Sequence, residues 1–287
     1  MPYTSPQSSE IYYETTGDPA DRPLVLIEGM SAQMIGWREA FVDILAVRGF
    51  FVIRLDNRDV GLSHKTGSAD VVDGGYSLAD MADDVFKVLD ALGLESAHIV
   101  GQSMGGAIAQ HMAIARPDRV RSLVLFYTAP AFSPDFVGVS VLDNLPAETP
   151  SPTATRDQVI DELMARARMS GAPGRPFDEG FARDLVMRSL DRSERLDGVP
   201  RQIAALLRSG DWRSALNDLS IPTCIIHGRE DQLVRVEAAF ELARRIPDAE
   251  LHLYPHMGHE IAPRLWEDYA AIIDTTASRA TQADREA

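Results

Sequence analysis

Six short apolar runs punctuate the chain and constrain its architecture more than any other feature. They are Leu24-Val25-Leu26-Ile27, Phe50-Phe51-Val52-Ile53, His98-Ile99-Val100, Leu123-Val124-Leu125-Phe126, Cys224-Ile225-Ile226 and Leu251-His252-Leu253-Tyr254. Each is bounded by Gly, Pro or Asp. Continuous runs of this length suit strands buried on both faces, as in a parallel sheet. Helical patterns lie between them, the clearest over residues 77–92. There Leu78, Met81, Val85, Val88, Leu89 and Leu92 form one apolar stripe. Ser77 and Asp80 read as a capping box, and Gly93 follows as a stop. Strand alternating with helix predicts an α/β fold with a largely parallel sheet.

The alternation breaks over residues 131–220. Turn-rich segments at 146–152 and 170–176 separate helical patterns near 158–169, 181–190 and 202–207, with no buried-strand run among them. This reads as a helical insertion within one α/β domain. The expected organisation is a first core part over 1–130, the insertion over 131–220, a second core part over 221–277 and a flexible polar tail over 278–287.

Composition excludes several classes of function. The chain carries 28 Lys+Arg against 43 Asp+Glu, a net charge of −15. A field of that sign repels phosphate backbones, so no nucleic-acid partner is expected. No apolar run approaches the roughly 20 residues of a membrane-spanning helix. Residues 1–23 are polar and carry no readable secretory signal, so the expected location is the cytoplasm. Cys224 is the single cysteine, which rules out an intrachain disulfide or a cysteine-based zinc cluster.

The sharpest local signal is Gly-x-Ser-x-Gly, formed by Gly101, Ser103 and Gly105 directly after the third apolar run and before a helical pattern at 107–115. A nucleophile on a sharp strand-to-helix turn exposes its oxygen above the sheet. Side chains two residues to either side would collide there, so glycine is needed at both places. The helix start also offers free N–H groups and a positive dipole end.

A serine hydroxyl is a poor nucleophile without a base, and the base needs an anchored partner. On this kind of turn the partners follow in the order acid, then histidine. His64, His98 and His111 are out of order, and His227 and His252 sit within strand patterns. His259, after Gly258 on the loop that follows the last strand, is the preferred base, with His256 as the alternative. The loop after the Cys224–Ile226 run offers Asp231, which is preferred, and Glu230, which reads as a solvated charge. Acyl transfer also needs oxyanion donors, expected to be the backbone N–H groups of Met104 and Met30.

These motifs together resemble the α/β-hydrolase superfamily over nearly the whole chain. Leu26-Ile27-Glu28-Gly29 is similar to the family's oxyanion loop, and residues 55–63 to its Asp-x-Arg-Gly-x-Gly-x-Ser segment. Residues 101–106 resemble its nucleophile elbow, 115–125 the stretch after the nucleophile helix, and His227-Gly228-Arg229-Glu230-Asp231 and Gly258-His259 its acid and base loops. Residues 56–63 and 77–84 look like the esterase/lipase branch that includes actinobacterial lipases and aclacinomycin methylesterase. The resemblance implies an α/β-hydrolase fold with a helical cap. Two departures stand out: Glu28 replaces the usual His of the oxyanion loop, and Asp59 replaces a glycine. A carboxylate beside an oxyanion site needs a partner, so a Glu28–Arg58 pair is expected.

The function expected is a serine hydrolase cleaving a carboxylic ester or thioester of a hydrophobic small molecule, with no cofactor and no metal. Methionines 30, 34, 104, 164, 169 and 187 could line its cavity or simply fill the core. Carbon–carbon bond hydrolysis or cofactor-free haloperoxidase chemistry on the same three residues is the alternative. A non-catalytic binding protein is disfavoured by the complete Ser, Asp and His set.

Overall fold

The computed structural model describes residues 3–4, 10–68, 70–138, 151 and 153–286. The turn-rich stretch 146–152 therefore lies outside the described residues except for Ser151. Seven strands form one sheet: β1 (Tyr13–Thr16), β2 (Arg22–Ile27), β3 (Phe50–Leu55), β4 (Ala97–Gln102), β5 (Val120–Phe126), β6 (Thr223–Gly228) and β7 (Glu250–Tyr254). Their spatial order is β1-β3-β2-β4-β5-β6-β7, all parallel except β1, which pairs antiparallel with β3. All six apolar runs lie on strands. The strand they do not mark is β1, a four-residue edge element of sequence Tyr-Glu-Thr-Thr in which only Tyr13 is buried. One buried position in four residues writes no apolar run, whereas β7, at the opposite edge, carries one although it is only partly buried.

Successive strand residues face opposite sides, and two cores result. Val25, Ile27, Ile53, Ile99, Leu125 and Ile225 pack on one face, against α2 (Leu78–Ala91), α3 (Met104–Ala115) and α7 (Val236–Arg245). Leu24, Leu26, Val52, Val100, Val124 and Ile226 pack on the other, against α1 (Glu39–Val47) and α8 (Trp266–Glu286). Burying each such side chain contributes about 1.5–3 kcal/mol. Ser77 caps α2 in a complete capping box with Asp80, as its sequence signature predicts.

Among the described residues, the connection from β5 to β6 holds α4 (Arg156–Ser170), α5 (Glu179–Arg192), α6 (Val199–Arg208), short 3-10 turns and no strand of the sheet. These three helices cover the patterns at 158–169, 181–190 and 202–207. The last helix continues beyond residue 277; Ala277 is buried in the second core and Ala280 is buried as well. Packing thus extends into the polar stretch that composition alone reads as a tail. No described helix is long and apolar enough to cross a membrane.

The order of strand addition reverses between β3 and β4, which flank β2 on opposite sides. In open α/β sheets, such a switch point opens a crevice at the carboxyl ends of the strands. The loops after β2, β4, β5, β6 and β7 all meet there.

Asp59, on the loop after β3, ties the core to α6. Its backbone is left-handed (φ 72°), a conformation that Asp tolerates better than most side chains. Its carboxylate accepts from Arg201 Nε at 2.9 Å, Thr66 N at 2.7 Å and Tyr76 Oη at 2.7 Å. Asp59 and Arg201 side chains are both 0% exposed. Removing one partner leaves an uncompensated buried charge. Asp59→Ala should therefore lower unfolding free energy by about 3 kcal/mol in urea titrations; a loss below about 1 kcal/mol would contradict this account.

Candidate active site

Ser103 ends β4 and caps α3 with φ 53° and ψ −120°, a sparsely populated conformation for an L-residue. Its surroundings hold it there. Ser103 N–H donates to Phe126 O at 3.0 Å, and its carbonyl accepts from Gly106 N, Ala107 N and Thr128 Oγ1, the last at 2.7 Å. A Cβ on Gly101 would stand 2.3 Å from Gly105 O, and one on Gly105 would stand 2.3 Å from Ile27 O. Both glycines of the motif are thus required by close backbone approach. Met104 is the first residue of α3, so its N–H has no intrahelical acceptor. The helix starts there rather than at residue 107, because the turn itself is its first cap.

The loop after β2 crosses directly over the serine: a Cβ on Gly29 would lie 3.2 Å from Ser103 Cβ. Met30 follows it, and Met30, Ser103, Met104 and His259 line one cavity of about 1020 Å³.

His259 and Asp231 are joined by a 2.8 Å bond from His259 Nδ1 to Asp231 Oδ2. The other oxygen, Oδ1, accepts from Leu233 N at 2.8 Å and Val234 N at 2.9 Å. Burial pushes this carboxyl up, but the charge and bond of His259, together with His227 and the Val234 N–H, outweigh it. Asp231 is held below its ordinary range and stays ionised. Glu230 instead pairs with His256 at 2.9 Å, which separates both alternative residues from the serine's partners.

Residues that sequence reasoning passed over complete the setting. His227 is buried, and burial depresses its basicity, so its ring is neutral. Its Nε2–H donates to Val234 O at 3.0 Å and lies 3.6 Å from Asp231 Oδ2, a contact that is no ion pair in the neutral state. Tyr127, after β5, lays its ring 4.4 Å from that of His259. The backbone N–H of His259 donates to Ser170 O, at the end of α4, at 2.7 Å.

The expected Glu28–Arg58 pair does not form. Arg58 bonds Asp84 Oδ2 at 2.6 Å and Asp80 O at 3.1 Å, and its guanidinium stacks over Tyr76. The inner face of α2 supplies a buried carboxylate that captures it. Glu28 turns inward instead: its Oε2 accepts from Gly29 N at 3.1 Å and from Gln102 Nε2, whose Oε1 accepts from the Tyr127 hydroxyl. Burial pushes Glu28 up to about 8.

Away from this crevice, Cys224, Glu250 and His252 bring three metal-capable atoms within 4.8 Å of one another across β6 and β7. Burial pushes the thiol up to about 12, and Arg279 holds Glu250 at 3.0 Å. A protonated thiol and a committed carboxylate suit packing better than ligation.

The fold and this strand-end crevice define an α/β hydrolase, and residues 22–263 match the model of the alpha/beta hydrolase fold family, so the chain belongs to that family. It is 28% identical over 289 residues to rhodomycin D methylesterase DnrP of Streptomyces peucetius, covering 94% of this chain and 96% of that protein. It is 32% identical over 222 residues to 2-hydroxymuconate semialdehyde hydrolase of Pseudomonas putida, covering 72% of each. The meta-cleavage product hydrolase of Pseudomonas fluorescens IP01 shares its fold, with a TM-score of 0.78, 23% identity and 97% of each chain covered.

Because backbone atoms receive any side chain added at Gly105, nothing nearby can move cheaply aside. Gly105→Ala should lose about 2–3 kcal/mol in chemical denaturation; a variant as stable as the parent would mean that the β4–α3 turn and β2 do not touch.

Proposed function

We propose that the protein hydrolyses a carboxylic ester or thioester of a hydrophobic small molecule through an acyl-enzyme on Ser103. The observation that carries this reading is the His259–Asp231 bond of 2.8 Å, opening onto the same cavity as a serine held at φ 53°. Similarity to a methylesterase supports the ester as the scissile group.

In this mechanism His259 Nε2 takes the Ser103 hydroxyl proton as Oγ attacks the carbonyl carbon. The carbonyl π electrons move onto oxygen, where the N–H groups of Met30 and Met104 receive the charge. Asp231 fixes the imidazole tautomer and stabilises the imidazolium. Collapse breaks the carbon–oxygen bond to the alcohol, which leaves with the proton from His259. Water then gives a proton to His259 and attacks the acyl carbon. The second collapse returns that proton to Ser103 Oγ and frees the carboxylic acid.

The described helices of the 131–220 insertion act as a cap over the crevice. A cavity of about 1020 Å³, at the upper end of small-molecule sites, accommodates a substrate of several rings or a long acyl chain. A second reading, hydrolysis of a carbon–carbon bond on the same residues, is favoured by the 32% identity to 2-hydroxymuconate semialdehyde hydrolase.

p-Nitrophenyl esters and a fluorophosphonate probe test the proposal. Turnover and labelling are expected in the parent enzyme. Ser103→Ala should lose both, with kcat down about 10⁶-fold, and Asp231→Asn should lower kcat about 10⁴-fold. Turnover of a vinylogous diketone without ester turnover would favour the second reading; absence of both labelling and turnover would remove the catalytic one.

A further inference from the structure

Glu28 presents an unusual arrangement: a carboxyl group 2% exposed, with no cation bonded to it, at the entrance to the oxyanion loop. Its Oε2 receives Gly29 N–H and the Gln102 carboxamide, the Trp37 backbone N–H also acts on the group, and Oε1 is buried without a hydrogen bond of normal geometry. An ionised carboxylate has four lone-pair sites to satisfy and would leave one oxygen under-satisfied. A neutral acid fits better, because the Gln102 carboxamide can present either end. With its oxygen toward Glu28 it accepts the acid's O–H, and its NH₂ then donates to the Tyr127 hydroxyl oxygen.

The surroundings supply no compensating positive charge. From β3, Asp56 faces Glu28, and its own carboxylate is taken by Met34 N, Leu62 N and Arg192, the last at 3.0 Å. Asn57 donates to the Glu28 backbone carbonyl at 2.9 Å. β4 contributes Gln102, and the loop after β5 contributes Tyr127, a phenol that burial keeps protonated. The short turn at Met34–Gly36 brings Gly36 against Oε1 and carries no charge. Tyr269, Asp231 and Glu260 act on Tyr127 in turn, and the His259 ring packs against it.

We infer that Glu28 is a positioning residue that works only as a neutral carboxylic acid, fixing the Gly29–Met30 turn to Gln102 beside the nucleophile, and that its ionisation sets an alkaline limit on catalysis. The inference rests on the serine-hydrolase reading above. Negative charge on Glu28 stands beside the donors that must receive the oxyanion, and it opposes charge that exists only in the transition state. Its effect therefore falls on kcat and leaves KM nearly unchanged. The sign follows from burial: Glu28 is pushed up to about 8, neutral below that pH and charged above it.

The experiment measures kcat and KM for a p-nitrophenyl ester, corrected for spontaneous hydrolysis, in the parent enzyme and in Glu28→Gln. Fluorophosphonate labelling of the parent at about pH 7 first decides the serine reading on its own. Between about pH 7 and about pH 9.5 the parent should lose at least tenfold in kcat, with KM changing less than about twofold. Within Glu28→Gln, the ratio of kcat at the two pH values should stay within about twofold of one. Parent kcat that is flat to about pH 9.5 overturns the inference, as does a Glu28→Gln profile with the parent's midpoint.

Should Glu28→Gln give no folded protein, or the parent no turnover, an infrared titration replaces the comparison. It uses Glu260→Gln enzyme, because Glu260 is, among the described residues, the other carboxyl that burial pushes above its ordinary range. A protonated-carboxyl band persisting to about pH 8 supports the inference, and its loss by about pH 5 overturns it.

Discussion

Contact between the β2 loop and the β4–α3 turn is the constraint on which the rest of the crevice depends. Ser103 sits in a strained conformation, Gly105 abuts the carbonyls of Ile27 and Glu28, and Gly29 lies against the Ser103 side chain. Strain of this kind costs about 1–3 kcal/mol and persists only where neighbours over-determine it. Here the central parallel strands supply that determination. β2 and β4 are adjacent because the order of strand addition reverses around β2, so Ser103 and the loop after β2 are brought together by sheet topology rather than by loop flexibility.

Electrostatics around this contact follow one pattern: each buried carboxylate has its own satisfying set. Asp231 has two backbone N–H groups and a histidine, Asp59 has Arg201 and Tyr76, and Asp84 has Arg58 and Lys87. Glu28 has only neutral donors. The chain's excess of acid thus leaves the crevice with a single ionised carboxylate joined to the base. In the proposed mechanism that arrangement would favour an imidazolium without placing a second full charge where the oxyanion would develop.

Legibility from sequence followed how each feature is encoded. Strands β2 to β6 are written as apolar runs because the sheet buries them on both faces, β7 carries its run although it is an edge strand that is only partly buried, and α2 carries its own cap and stripe. Residue patterns also carried Ser103, its two glycines, Asp231 and His259, since close backbone approach and chain order limit what can stand there. The edge strand β1 escaped because half of it faces solvent. Tyr127, Gln102 and His227 escaped because their importance is a matter of adjacency across strands, which no spacing along the chain records. Arg58 was assigned to Glu28 by proximity of their loops, but partner choice depended on Asp84, a residue that the helical stripe hid among apolar neighbours. Asp59 was noticed as a departure, while its partner Arg201, far along the chain, was not.

The 2.7 Å bond from the His259 backbone to Ser170 O carries a consequence for redesign. The backbone of His259, the proposed base, is docked on the last carbonyl of α4, so that helix cannot be exchanged as an independent module. A chimera that grafts another enzyme's helices between β5 and β6 must reproduce the register of that terminal carbonyl. Otherwise the transplant detunes the machinery it was meant only to re-aim.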